Sequence, residues 1–315
     1  MPLPGTTASN PFIDTKSLMA IRSLELRARA VVEGFWHGLH RSPYHGFSVE
    51  FTEYRLYAPG DDLRYLDWKL LARSDRQYLK KFEDETNLRC HLLVDNSRSM
   101  QFTTLGYTKA DYARTLAATL AYFLSRQGDA TGLLLFDEAI RDYLPARNRP
   151  GHLRRLTLAL ERASEGSRTD LIRPLERIAA LVRKRSLLII VSDLMTPLDG
   201  LRRELTLLRA ARHEIVIFQT LDPAEVSFAF DEPMLFQDLE SNRDLFIDPA
   251  AVREGYLQRL TAHREAIQAI CRELGIDFHL VPTETRLDLL LLEFLKDRSR
   301  RAPLSLRNVQ RRSAA

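Results

Sequence analysis

From residue 89 onward, short apolar runs alternate with longer stretches in which apolar residues recur three or four positions apart. This alternation predicts an α/β fold, an open and mainly parallel sheet flanked by helices. His91-Leu92-Leu93-Val94 reads as a buried strand, and Ala113, Leu116, Ala117, Leu120, Phe123 and Leu124 follow at helical spacing until Gly128 stops that helix. A second strand runs through 132–136, and two helical stretches come next, one carrying Leu153, Leu156 and Leu160, the other Leu171, Leu175, Ile178 and Val182. Leu187 to Val191 is the most apolar strand and ends at Ser192-Asp193. A helix with Leu201, Leu205 and Leu208 leads to the strand Ile215 to Phe218. Residues 222–248 break the rhythm with short aromatic-rich runs between turn residues, as in an antiparallel edge insertion. A long helix from about Pro249 to Gly275, a strand around Phe278 to Val281 and a helix around Leu287 to Leu295 bring the sheet to about six strands.

The first 87 residues follow a different pattern. After an irregular stretch over 1–14, Leu18 to His40 has helical spacing, Gly46 to Phe51 alternates like a strand, Pro59-Gly60-Asp61 is a turn, and Gln77 to Phe82 is a further strand. The expected organisation is an extension over 15–87 packed on a main domain over 88–295, with a basic tail over 296–315.

Composition narrows the function classes. With 315 residues and 45% hydrophobic content, the chain buries a full core. Its purely apolar runs, such as Leu289 to Leu292, fall far short of the roughly 20 residues that span a bilayer, so no transmembrane segment is expected. Residues 1–14 lack the apolar stretch of a secretory signal. Cys90 and Cys271 both lie in apolar periodic segments, which suits buried reduced thiols and a cytoplasmic protein. A net charge of +4 from 46 basic and 42 acidic residues is a mixed surface, with no reason to expect nucleic acid. The one dense basic cluster is the end, where Lys296, Arg298, Arg300, Arg301, Arg307, Arg311 and Arg312 face a single acid, Asp297; it is either a solvated tail or a docking element for an acidic partner.

Candidate chemistry starts where the strand at 91–94 ends. Asp95-Asn96-Ser97-Arg98-Ser99 places one carboxylate and two hydroxyls at i, i+2 and i+4 beside the carboxyl ends of the strands, where open α/β sheets bind ligands. All three are hard oxygen donors, which suit Mg²⁺ with some of its waters retained. The Asp-x-Ser-x-Ser pattern resembles the first motif of the metal-ion-dependent adhesion site of von Willebrand factor A domains. That resemblance implies a Thr on a later loop, matched by Thr169 just before a helix, and an Asp at the end of the next long strand, matched by Asp193. It therefore implies a metal set of Asp95, Ser97, Ser99, Thr169 and Asp193. Asp193 acts through water in this scheme, and one coordination position stays open for a carboxylate from a protein partner. Mg²⁺ is the expected ion, with Mn²⁺ or Ca²⁺ as alternatives. Helix capping and strand-end turns are the competing explanation for each of these residues.

Upstream, Glu53-Tyr54-Arg55-Leu56-Tyr57-Ala58-Pro59-Gly60-Asp61-Asp62-Leu63-Arg64-Tyr65-Leu66-Asp67-Trp68-Lys69, followed by Ala72-Arg73, resembles the signature of the bacterial family called domain of unknown function 58, DUF58. In that family a von Willebrand-like core follows directly. The resemblance implies a partnership with a MoxR-type AAA+ ATPase, with this chain as adaptor or co-chaperone. The dense charges beside Tyr57, Tyr65 and Trp68 read either as a salt-bridge network or as a partner-docking surface.

Other chemistries find less support. Neither a Gly-x-x-x-x-Gly-Lys phosphate loop nor a Gly-x-Gly-x-x-Gly turn is present. Aspartyl phosphatases want a second carboxylate where this chain has Ser97, and His37, His40 and His45 match no common zinc spacing. The expected function is thus a non-enzymatic, Mg²⁺-dependent protein-interaction module. The alternatives are a metal-dependent hydrolase using the same site and a metal-independent scaffold.

Overall fold

The computed structural model describes residues 13–41, 54–56, 78–80, 88–162, 166, 170–237 and 244–301. The chain divides into two compact units, Gly38–Asn87 and the combination of Met1–His37 with Leu88–Ala315. In the smaller unit, β1 (Tyr54–Leu56) pairs antiparallel with β2 (Tyr78–Lys80), with Arg55 opposite Leu79. The strand expected over 46–51 and the rest of the 53–73 signature lie outside the described residues.

In the larger unit, the helix expected from Leu18 is two helices, α1 (Thr15–Met19) and α2 (Leu24–Arg41). The corner between them is held by Arg27, whose Nε donates to the Ile21 carbonyl at 2.5 Å. Asp14 starts α1 by accepting from the Ser17 amide at 2.8 Å.

The main sheet contains β3 (Arg89–Asp95), β4 (Ala130–Phe136), β5 (Ile140–Arg147), β6 (Leu187–Ser192), β7 (Glu214–Leu221) and β10 (Asp277–Pro282). Their order across the sheet is β10-β7-β6-β3-β4-β5, and only β5 is antiparallel to its neighbour. The chain leaves β3 toward β4 and later returns to its other side as β6, so the direction of winding reverses between β3 and β6. The crevice at such a reversal, outside the carboxyl ends of the strands, is where this class of sheet holds ligands.

The helices α3 (Lys109–Arg126), α4 (His152–Glu161), α5 (Ile172–Leu181), α6 (Leu198–Ala210), α8 (Pro249–Leu274) and α9 (Leu287–Arg301) connect and flank these strands. β6 is buried along its whole length, as a central parallel strand covered on both faces should be. On one face Leu93, Ile190 and Ile217 meet Leu175 and Ile178 of α5, Leu205 and Leu208 of α6, and Ile267 of α8. The short α7 (Pro223–Ser227) follows β7. The antiparallel pair expected within 222–248 is present as β8 (Met234–Gln237) and β9 (Asp244–Ile247), which form a two-stranded sheet of their own. Cys90 and Cys271 are free and buried. Among the described residues no helix is long and apolar enough to cross a membrane.

Two boundaries differ from the sequence pattern. β5 has no counterpart there, because it is a half-buried edge strand whose apolar residues are interrupted by Arg141, Asp142 and Pro145. α9 runs to Arg301, past the Leu295 at which apolar periodicity stops; Arg298 continues the helix by bonding Glu214 at 3.3 Å and lying 5.9 Å over the Phe294 ring.

Gly132 shows how tightly β5 closes its edge. A Cβ there would lie 2.7 Å from the Ala146 amide nitrogen, 2.8 Å from the Leu144 carbonyl oxygen and 2.8 Å from His91 Nδ1. The two backbone atoms belong to the paired strand and cannot turn aside. Gly132→Ala is therefore expected to destabilise the protein by about 1–3 kcal/mol, the usual cost of overpacking. Urea unfolding checks this as a lower midpoint at unchanged slope.

Candidate metal centre

β3 ends on Asp95, which is fully buried. The chain turns at once, because Asp95 Oδ1 accepts from the Ser97 amide at 2.9 Å, an Asx-type turn that leads into a 3-10 turn over Arg98–Gln101. The turn brings the Ser97 and Ser99 hydroxyls within 3.1 Å of each other. On the neighbouring strand β6 ends on Ser192, whose hydroxyl donates to Asp95 Oδ2 at 2.6 Å. Asp193 follows, also fully buried, and accepts from the Ser99 side chain and from the Met195 amide. Asp95, Ser97, Ser99 and Asp193, four of the five residues expected from the sequence, thus gather at the crevice between β3 and β6. Thr169 lies outside the described residues. Its neighbour Asp170 caps α5, accepting from the Ile172 amide at 2.9 Å.

The backbone past Asp193 is unusual. Leu194 adopts a left-handed conformation, φ 58°, although it has a branched side chain and is buried. Three contacts hold it there. Its amide donates to Ser192 Oγ at 3.0 Å, and its carbonyl accepts from the Thr196 amide at 2.8 Å and from His263 Nε2 at 2.9 Å. The carbonyl can only accept, so the His263 proton is on Nε2. Gln219 adds a hydrogen bond to the Asp193 carbonyl at 2.9 Å. The strand-end loop is therefore fixed from several sides, which is what a site with preset donors requires.

The sequence pattern did not reveal the cation already inside. Lys109, 1% exposed, donates from Nζ to Asp193 Oδ2 at 3.0 Å and to Glu225 Oε1 at 2.7 Å. The signal was available: Lys109 lies three, four and seven positions before Tyr112, Ala113 and Leu116, so it continues the buried stripe of α3. Glu225 sits in the first turn of α7, where its other oxygen accepts from the Asp222 amide at 2.8 Å. Asp222 in turn binds Thr104 through both carboxylate oxygens, at 2.8 Å to the amide and 2.5 Å to the hydroxyl. Ser192 is a further member of the site, although in the sequence it marks only the end of a strand.

These neighbours set the charges. Burial would raise the Asp193 carboxyl, but Lys109 beside it and its hydrogen bonds hold it below the usual carboxylate range. Burial opposes the charge on Lys109, yet Asp193 and Glu225 keep it above the ordinary lysine value. Glu225 is raised by burial despite Lys109. Asp95 has no such ammonium. Burial and the nearby Asp193 charge push it up to about 7, against the hydrogen bonds from Ser192 and Ser97. Asp95 is therefore a buried carboxylate short of positive charge, bonded by the hydroxyls of Ser97 and Ser192. A hard divalent cation fits that shortfall and that donor set. Asp193, committed to Lys109, fits the supporting place outside direct ligation.

Comparisons with known proteins agree with the upstream pattern. A family model described as protein of unknown function DUF58 matches residues 53–266. An uncharacterized protein of Mycobacterium bovis is 32% identical over 267 residues, covering 83% of this chain and 83% of its own length. An uncharacterized protein of Mycobacterium tuberculosis strain H37Rv aligns with the same identity and coverage. Among solved structures, an aerotolerance-related membrane protein from Bacteroides fragilis covers 65% of this chain and 97% of its own at 12% identity, with a TM-score of 0.44.

The Asp95 shift has a sign that can be measured. Its folded value, about 7, lies above the ordinary aspartate value of 3.8, so between these limits the folded state binds more protons than the unfolded state. Stability of the metal-free protein should then fall as pH rises from about 4 to about 7, with Glu225 acting in the same direction. Asp193 acts oppositely and only as pH falls below the usual carboxylate range. Asp95→Asn should remove most of this decline, so the gap between variant and parent widens with pH. Urea unfolding in chelator across this range tests it; a constant gap would refute the assignment.

Proposed function

Because the chain belongs to the DUF58 family, whose description names no activity, its role must be argued from the site, and we propose a non-enzymatic module that grips a protein partner through a divalent cation. The observation that carries this reading is the pair of buried carboxylates, Asp95 and Asp193, on adjacent strand ends at the reversal of the sheet, only one of them neutralised by a lysine. Asp95, Ser97 and Ser99 would hold the ion, with Thr169 added by the resemblance to von Willebrand factor A adhesion sites. Asp193 would support it from outside. Mg²⁺ is the ion best suited to so few charges and so many hydroxyl donors, with Mn²⁺ or Ca²⁺ as substitutes. The bound ion would supply a positive centre for a carboxylate of the partner.

A binding role fits these residues better than catalysis. The position two after Asp95 is Ser97, which cannot act as a carboxylic general acid, and the Ser99 hydroxyl bonds Ser97 and Asp193. By the family resemblance of the 53–73 signature, the partner is a MoxR-type AAA+ ATPase, for which this chain would act as an adaptor in the cytoplasm. A second reading has one observation in its favour. Lys109 already provides an internal cation, so the loop could stay ordered and dock a partner without metal.

Calorimetry separates the two. Mg²⁺ or Mn²⁺ should bind one site per chain, and Asp95→Ala should weaken binding at least tenfold. A chelator should release the partner in affinity capture, whereas capture that survives chelation supports the metal-independent reading. Absence of ion binding to the parent chain would overturn the proposal.

A further inference from the structure

Far along the sheet from this crevice, β10 is an edge strand, and burial alternates along it so that Asp277, His279 and Val281 share the covered side. The His279 ring stacks on Phe218 with centroids 5.1 Å apart, and Phe218 in turn meets Phe294 of α9. His279 is 8% exposed, and its Nε2 is buried without a hydrogen-bond partner. Such an orphaned ring nitrogen is costly unless something occupies the space before it.

What faces it is a pair of carboxylates one helical turn apart on α9. Asp297 Oδ2 lies 3.9 Å from His279 Nε2, and Glu293 Oε1 lies 3.9 Å from Nδ1. One nitrogen and one oxygen from each acid lie within 4.8 Å of one another. These separations are too long for hydrogen bonds. They are close to those of ligands around a common ion, since two donors each about 2.0–2.1 Å from Zn²⁺ stand roughly 3.4 Å apart in a tetrahedron. About half an ångström of closure brings Asp297 and Nε2 to that spacing, and a rotation of the exposed Glu293 side chain carries its carboxylate from Nδ1 toward the same ion. Arg298, on the same helix, is engaged with Glu214 at 3.3 Å and lies over the Phe294 ring.

We propose that His279, Glu293 and Asp297 form a second divalent-metal site, distinct from the strand-end centre and selective for a nitrogen-accepting ion such as Zn²⁺. His279 Nε2 is the anchoring ligand because it is the buried atom without a partner. An imidazole with two carboxylates favours Zn²⁺ over Mg²⁺ or Ca²⁺, which prefer oxygen alone. Glu293 is the exposed member, so the ion keeps a solvent-facing position. The bound ion joins α9 to the edge strand β10 and satisfies a buried ring nitrogen that has no hydrogen-bond partner.

The test uses the full chain carrying Asp95→Ala, which removes the strand-end centre, so that failure here and failure of the proposed function remain distinguishable. Zn²⁺ is titrated in competition with a chromophoric chelator. The expected result is one Zn²⁺ bound per chain, with affinity at least tenfold lower after Glu293→Gln with Asp297→Asn, two isosteric changes on the outer part of α9. Equal affinity in that variant overturns the proposal. An independent arm needs no variant protein for the binding step: in the wild-type chain, Zn²⁺ should shift the Nε2 resonance of His279, assigned by its disappearance in His279→Gln. A resonance that stays in place at saturating Zn²⁺ overturns it equally.

Discussion

Two carboxylates cannot be buried side by side without positive charge to match them, and the architecture around β3 and β6 is organised by that constraint. Asp193 takes the ammonium of Lys109, which explains why a lysine occupies the buried stripe of α3. Lys109 in turn fixes Glu225, Glu225 caps α7, and Asp222 of the same cap secures Thr104 in the loop that leads into α3. The chain of charges closes on itself. Asp95 stands outside it, stabilised only by neutral donors, and the resulting deficit is the strongest physical argument for an added ion. For stability alone, an apolar replacement of similar volume commonly serves as well as a buried ion network.

How far this was legible in the sequence follows from which forces are local. The parallel strands are runs such as Leu187 to Val191, buried on both faces, and their hydrophobicity is visible without any structure. Asp95, Ser97, Ser99 and Asp193 were legible because strand ends in such a sheet are predictable sites and the residue types are chemically distinctive. β5 was not, because an edge strand needs apolar residues on one side only and Pro145 is tolerated there. Lys109 escaped notice for a different reason. A lysine in a helix is normally read as solvated, and its partners lie 84 and 116 positions away.

The His279 cluster illustrates the same division. Glu293 and Asp297 are spaced to share a helix face, but nothing in the linear pattern brings them to a histidine on an edge strand. Pairing of β10 with β7 does so, by setting His279 opposite Phe218, where the aromatic ring limits its orientation. The two candidate centres therefore differ in origin. One is assembled from loops at the strand ends, the other from the middle of a strand and the outer turns of a helix.

The network around Lys109 also constrains the order in which the molecule can be made. Its members come from the start of α3, the residue after β6 and α7, and no contiguous stretch of the chain contains the arrangement. Bringing such distant segments together requires closing long loops, which is slow relative to local helix formation. A chain emerging in sequence order exposes Asp95 and Lys109 well before Asp193 and Glu225 exist to receive them. The strand-end arrangement of Asp95 and Asp193 is therefore completed only late in folding, once β6 has paired with β3.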